Sequence, residues 1–261
     1  MTGVVAIVQA RMSSRRLPGK VLKPILDRPM LALQIERVRR ASRLDGLVVA
    51  TSDTADDDAI VRDCSDIGVE CFRGSLDDVL DRFYRCATAH AAEHVVRLTA
   101  DCPLADPTVI DRVVRTHMDG GFDYTSNVFP PTWPDGLDVE VMRFGALADA
   151  WRDAELPSER EHVTYFIETH PQRFRYCNVA APVDHSGLRW TVDDPEDFEL
   201  ARRIYEALYP TNAAFTTDDI LALIQARPNL RALNAHLERN ASMATSLEAD
   251  RQFLANRGTS R

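Results

Sequence analysis

The chain has 261 residues, 45% of them hydrophobic, and sets 31 Lys and Arg against 40 Asp and Glu for a net charge of -9. Length and apolar content support one large domain, or one domain with a small appendage. The acidic balance excludes the broad basic footprint of a general nucleic-acid binder, and no run approaches the ~20 apolar residues of a membrane helix. The cysteines are Cys64, Cys71, Cys86, Cys102 and Cys177. They are odd in number and lack metal-ligand spacing, which reads as reduced thiols of a cytoplasmic protein. Met1 to Val8 is too short for the apolar stretch of a signal peptide and runs straight into a polar loop.

Val4 to Val8 is a continuous β-branched run, the pattern of a strand buried on both faces. Pro29 then opens an amphipathic helix with Met30, Leu31, Ile35 and Val38 on one side. Leu47 to Thr51 reads as a strand, followed by a helix through Ala59, Ile60 and Val61 that stops near Gly68. Val69 to Phe72 is a short strand, Asp77 to Ala92 a helix, and His94 to Leu98 a fourth strand. Asp106-Pro107 is a cap and first turn for a helix through Val114. This alternation predicts a three-layer α/β fold on a parallel sheet, with ligands bound beyond the carboxyl ends of the strands.

The second half is less regular. Phe122 to Ser126, Leu137 to Met142, Arg173 to Val179 and Leu188 to Val192 read as strands. Phe144 to Trp151 and Glu159 to Glu168 read as helices. Pro195 opens a strong helix, and Thr216 with Asp219 forms a capping box for another. From Asn240 the chain is polar and weakly patterned, so a short helix and a frayed tail are expected.

The loop after the first strand concentrates charge. Arg11, Arg15, Arg16, Lys20 and Lys23 are accompanied by Ser13, Ser14, Pro18 and Gly19. Cations and backbone N–H groups at a strand's carboxyl end form a natural phosphate cradle, although a solvated basic loop has the same composition. The spacing is neither that of a Walker A loop nor that of a dinucleotide fingerprint. Late in the chain, Asp194 precedes Pro195 and is the expected helix N-cap, with Glu196 and Asp197 in the first turn. Asp193 is thereby left free at the end of the preceding strand and is preferred over Asp194 as a ligand.

The segment Gln9 to Leu22 resembles the opening of cytidylyltransferases of the sialic acid and keto-deoxy-octulosonate type, in particular the spore coat polysaccharide biosynthesis protein F branch. Further similarities follow in order at Val48 to Thr51, Phe72 to Ser75, Asp78 to Arg82, Arg97 to Leu104, Gly136 to Val141 and Trp190 to Asp197. The resemblance implies a Rossmann-like nucleotidyltransferase fold of glycosyltransferase type A kind, on a mainly parallel, mixed sheet. It implies CTP as donor, a sugar acid as acceptor, Mg²⁺ as cofactor, and a homodimer. It places the nucleotidyltransferase domain at residues 1–210, with 122–180 serving acceptor binding and dimerisation, and leaves 211–261 as a helical extension and tail.

It also distributes roles. Asp101 and Asp193 hold the metal. Ala10, Arg11, Met12, Ser13, Ser14, Arg16 and Lys20 surround the phosphates, with Arg11 and Lys20 in contact. Ser13 stands where this branch carries Gly. Arg73 and Ser75 fall where the family reads base and ribose, although an ordinary strand-to-helix turn accounts for them equally. From residue chemistry and not from the resemblance, the polar alternation of Asn127, Asp138 and Glu140 and the loop residue His185 are acceptor-side candidates, His185 as a base, against the reading of a solvated strand face and an exposed loop histidine. The alternative activity is a glycosyltransferase on the same fold. It is disfavoured because Asp101-Cys102-Pro103 stands where a D-x-D would be expected.

Overall fold

A computed structural model describes residues 3–239 and 241–258. A seven-stranded sheet has the order β5-β4-β1-β6-β8-β7-β9, built from β1 (Val4–Gln9), β4 (Gly46–Ser52), β5 (Glu70–Gly74), β6 (His94–Thr99), β7 (Tyr124–Ser126), β8 (Glu140–Arg143) and β9 (Tyr176–Asn178). β1 pairs in parallel with β4 and β6, and β4 with β5. Only β8 runs against its neighbours, so the sheet is mixed but mainly parallel. The strand order turns back between β1 and β6, and such a switch point opens a crevice at the strands' carboxyl ends.

The continuous apolar run of β1 is explained by burial on both faces. Val4, Ala6 and Val8 face α1 (Met30–Val38), α4 (Pro107–Gly120) and α8 (Pro195–Leu208) through Leu31, Ile35, Ile110, Val113, Leu200 and Ile204. Val5 and Ile7 face α3 (Val79–Ala89) and α5 (Phe144–Asp153) through Leu80, Phe83, Leu147 and Ala150. α2 (Asp58–Asp66) joins the first layer through Ile60 and Cys64, and α9 (Thr217–Ala226) through Ile220. These are the expected three layers.

Several boundaries differ from the sequence reading. The helix expected over Glu159 to Glu168 is broken into α6 (Pro157–Glu161) and α7 (Tyr165–Thr169). At the break Val163 is fully buried and the Thr164 hydroxyl donates to Glu140, tertiary contacts that outweigh helical continuity. The expected strand Leu188 to Val192 pairs only through the bridge Asp135↔Arg189. The ladder of β8 begins at Glu140 because Asn127 already holds the preceding backbone. A hairpin of β2 (Pro24–Ile25) and β3 (Arg28–Pro29) was not foreseen, because its turn uses Leu26 and Asp27 at positive φ instead of an Asn-Gly signal. α10 (Pro228–Ala232) is also new. The expected short terminal helix is instead α11 (Ala241–Gly258), 18 residues long. The expected frayed tail at 259–261 lies outside the described residues.

Candidate active site

The basic loop leaves the carboxyl end of β1 as a compact turn. The Met12 carbonyl accepts from the N–H groups of both Ser14 and Gly19, and the Ser14 hydroxyl accepts from Leu17 N–H. Gly19 takes φ 68°, a left-handed conformation that glycine adopts without a Cβ penalty. The Met12 N–H donates to Asp57 Oδ1 at 2.7 Å. The Asp57 carboxylate also accepts from Thr51 Oγ1, Ser52 N–H and Ser52 Oγ. Burial alone would raise this carboxyl, but these four donors hold it below its usual range. Among the described residues, the N–H groups of Arg11, Ser13, Arg15 and Arg16 and the Arg11 guanidinium have no intramolecular partner. Donors left over on a basic turn are what an anion cradle requires.

Opposite the loop stands Asp101, just past the carboxyl end of β6. Asp193 is brought beside it by a strut from the second half of the chain. Val192 N–H donates to the Asp101 carbonyl at 2.7 Å, and the N–H groups of Trp190 and Thr191 donate to the Asp135 carbonyl. Gly136 makes this approach possible: at φ 106°, a Cβ there would sit 2.4 Å from Thr191 N. Arg189 then fixes the strut, with Asp197 as a bidentate partner and Asp135 and Asp193 each at 3.0 Å.

The two carboxylates converge on one ammonium. Lys20 Nζ lies 3.0 Å from Asp101 Oδ2 and 2.8 Å from Asp193 Oδ1, and its third bond goes to the Val192 carbonyl at 2.8 Å. Burial would lower the lysine, yet the two aspartates outweigh it and hold it above its ordinary value. Burial pushes Asp101 up, but the Lys20 charge and hydrogen bonds from Thr99 and Lys20 together outweigh it and hold the carboxyl at about 2. Arg16 spans Asp193 at 3.1 Å and Asp194 at 2.6 Å, so loop and strut are joined by three cation–carboxylate contacts involving Asp193 and Asp194.

Asp194 occupies the N-cap position of α8 as expected. Its carboxylate goes to Arg16, while Asp197 accepts from the N–H groups of Asp193 and Asp194. The structure therefore groups Arg16, Lys20, Asp101 and Asp193, with Ala10 to Ser14 alongside. Lys20 is found on the carboxylates, with no ammonium proton left for a phosphate.

The remaining candidates divide. Arg73 donates to the carbonyls of Ser52 and Thr54 and pairs with Asp58, bracing the turn after β4. Ser75 Oγ accepts from Asp78 N–H at the start of α3. Asn127 spends its amide on the Leu137 carbonyl and Val139 N–H. Glu140 is turned inward, ion-paired to Arg97 and accepting from Tyr124 and Thr164. The Tyr124 hydroxyl lies within hydrogen-bond distance of both Glu140 and Glu168, and burial together with the Glu140 charge pushes Glu168 up to about 7. His185 is tied to Thr132 through its backbone. Asp138 keeps a 28% exposed side chain and pairs with Arg239 at 2.9 Å. Burial first, then the charges of Asp135, Glu140 and Asp101, outweigh Arg239 and push it up to about 7.

Sequence reasoning missed Asp57, Arg189 and Arg239. Asp57 lies in the acidic run Asp53 to Asp58 after a strand, which was a usable signal. Nothing local marks Arg239, whose partners Asp135 and Asp138 are far away in sequence, whereas Arg189 stands close in sequence to Asp193 and Asp197 and was a usable signal.

A basic, N–H-presenting loop on the first strand of an open α/β sheet, facing two carboxylates across the switch point, defines a nucleotidyltransferase. The chain belongs to the cytidylyltransferase family, whose sequence model matches residues 5–243. It is 35% identical over 259 residues to the spore coat polysaccharide biosynthesis protein SpsF of Bacillus subtilis, covering 96% of this chain and 100% of that one. It is 34% identical over 118 residues to the 3-deoxy-manno-octulosonate cytidylyltransferase of Pelobacter propionicus, covering 44% of this chain and 45% of that one. Among solved structures it is similar to a cytidylyltransferase of Leptospira borgpetersenii, with a TM-score of 0.85, 30% identity, and coverage of 88% of this chain and 97% of that one.

Proposed function

We propose that the chain transfers CMP from CTP to the hydroxyl of a sugar acid, of nonulosonic-acid type, and releases pyrophosphate. The observation that carries this reading is the meeting of Asp101 and Asp193 on one cation at the foot of the basic loop. Support for the donor comes from the family, and for a sugar-acid acceptor from the name of the Pelobacter propionicus relative.

The residues present suit Mg²⁺. Two hard carboxylates already share a cation, and no group of three or more metal-binding side chains is found among the described residues. The protein would thus supply two carboxylates and leave the other positions to phosphate oxygens and water, the usual arrangement for this ion. Asp101 and Asp193 would hold it, and when bound it would neutralise charge developing on the phosphates.

In the reaction the acceptor oxygen bonds to the α-phosphorus, the bond from that phosphorus to the β-phosphate oxygen breaks, and pyrophosphate leaves. Arg11, Arg16 and the unpaired N–H groups of the loop hold the triphosphate and meet the growing negative charge. Fixed donors of this kind are worth roughly 10²–10³ in rate each. The acceptor proton goes to Asp138, whose carboxyl at about 7 is tuned for a base near neutral pH. Incubation with CTP, Mg²⁺ and a panel of 2-keto sugar acids should release pyrophosphate and form a CMP ester. Inactivity with every nucleotide and acceptor would refute the assignment.

A further inference from the structure

Lys20 is buried, 8% exposed, and all three of its ammonium protons are committed, to Asp101, Asp193 and the Val192 carbonyl. Its position is fixed from both sides. Gly19 in the left-handed region turns the chain into the short 3₁₀ segment Lys20–Leu22, and Val192 is tied to the Asp101 carbonyl. The ammonium therefore stands where a divalent cation would have to stand to be shared by the two carboxylates. It is an internal cation, covalently tethered and always present, so it competes with free metal at an effective concentration that solution Mg²⁺ does not match.

We infer that Lys20 keeps the carboxylate pair closed to free divalent metal, and that metal enters only together with a nucleoside triphosphate, whose phosphates draw the ammonium off Asp101 and Asp193. This rests on the nucleotidyltransferase reading of the same site. The surroundings supply what the exchange needs. The loop that carries Lys20 also carries Arg11 and the unpaired N–H groups of Arg11, Ser13, Arg15 and Arg16, so the triphosphate is gathered beside the ammonium it must displace. Arg16, 42% exposed in its side chain, pairs with the outer oxygens of Asp193 and Asp194 and is the less buried of the two cations. One consequence is order. The carboxylates, which repel one another without a cation between them, never stand bare before nucleotide arrives.

The test uses Mn²⁺ as the probe, followed by electron paramagnetic resonance of the full-length protein without acceptor. Wild type should show no protein-bound Mn²⁺ in the absence of nucleotide, and bound Mn²⁺ should appear on adding CTP, with a spectrum distinct from that of the Mn²⁺–CTP complex. K20Q, which removes the tethered charge but keeps a polar side chain, should bind Mn²⁺ without nucleotide at least about tenfold more tightly than wild type. Its thermal midpoint should rise with Mn²⁺ where that of wild type does not. D101N in the K20Q background should lose the gain.

Equal Mn²⁺ affinity of wild type and K20Q without nucleotide would overturn the inference. If K20Q fails to fold, wild type alone decides: bound Mn²⁺ before CTP contradicts the inference, and bound Mn²⁺ only after CTP supports it. Calorimetry with CTP in the presence of Mg²⁺ separates the two readings. No CTP binding alongside Mn²⁺ exclusion by Lys20 would count against the proposed function while leaving the tethered-cation role standing.

Discussion

Asp57 is the residue on which the shape of the basic loop depends. It accepts four hydrogen bonds, one of them from Met12 N–H at the centre of the turn. D57N presents an amide donor where only acceptors are wanted, leaving at least one buried donor unpaired at a cost of roughly 1–3 kcal/mol. The loop would then be less ordered before nucleotide arrives. Steady-state kinetics should show KM for CTP rising more than kcat falls, with a lowered thermal midpoint. Unchanged KM would remove Asp57 from the positioning of the loop. Asp138 makes a different prediction, because its proposed role is in the chemistry. D138N should lower kcat by roughly 10²–10⁴, the range for removing a general base. It should also abolish the acidic limb expected of wild type near pH 7, the value to which burial and its acidic neighbours push this carboxyl. An unaltered pH profile would transfer the proton to another group.

The elements explain what sequence could and could not reveal. Strands β1 and β4 were legible because burial on both faces leaves an unbroken apolar run, β6 through Val95, Val96 and Leu98, and α4, α8 and α9 because Asp106, Pro195 and Thr216 mark their starts. The carboxylate pair was legible in part. The capping geometry at Asp194 separated it from Asp193, but the partner of Lys20 was not readable, since a lysine's choice between phosphate and carboxylate depends on what the fold brings within 3 Å.

Of the C-terminal segment the sequence showed a final helix but neither its length nor its contacts, because its value lies in single polar contacts instead of an apolar stripe. Asn234 donates to Asp197 and to the Arg189 carbonyl, Arg239 pairs with Asp138, and Asp250 accepts from Ser158 N–H and Oγ at the start of α6. The extension thus braces the strut, Asp138 and the start of α6. D250A removes a buried cap and should destabilise by about 1–2 kcal/mol, while exposing α11 to limited proteolysis. Protease resistance equal to wild type would show that α11 is held by other contacts.

Across the whole molecule the switch point between β1 and β6 gathers residues from both ends of the chain, Lys20 near the start and Asp193 beyond the midpoint, and joins them through charge. Away from the site, His117 is a second long-range anchor. Its ring bridges Thr125 Oγ1 and His94 Nδ1 between α4 and the strands. Burial, then His94 and Arg143, depress it to about 4. Such a histidine contributes fully above its unfolded value of about 6.5, and the contribution is lost as pH falls toward about 4. Asp138 and Glu168, raised in the folded state, act in the opposite direction over much of the same window, so the comparison must be made against a variant. Chemical denaturation of wild type and H117F should show the wild-type stability falling relative to the variant between pH 6.5 and 4. Parallel pH curves would contradict the neutral, buried histidine.

The account as a whole stands on the Asp101–Lys20–Asp193 cluster as the seat of CMP transfer from CTP. The most direct measurement is pyrophosphate release with CTP, Mg²⁺ and sugar-acid acceptors, for wild type beside a D101N variant shown to be folded. Release by wild type, lowered at least about a hundredfold in D101N, is the expected result. Equal release by both proteins, or none by wild type with any nucleotide and acceptor, would contradict it.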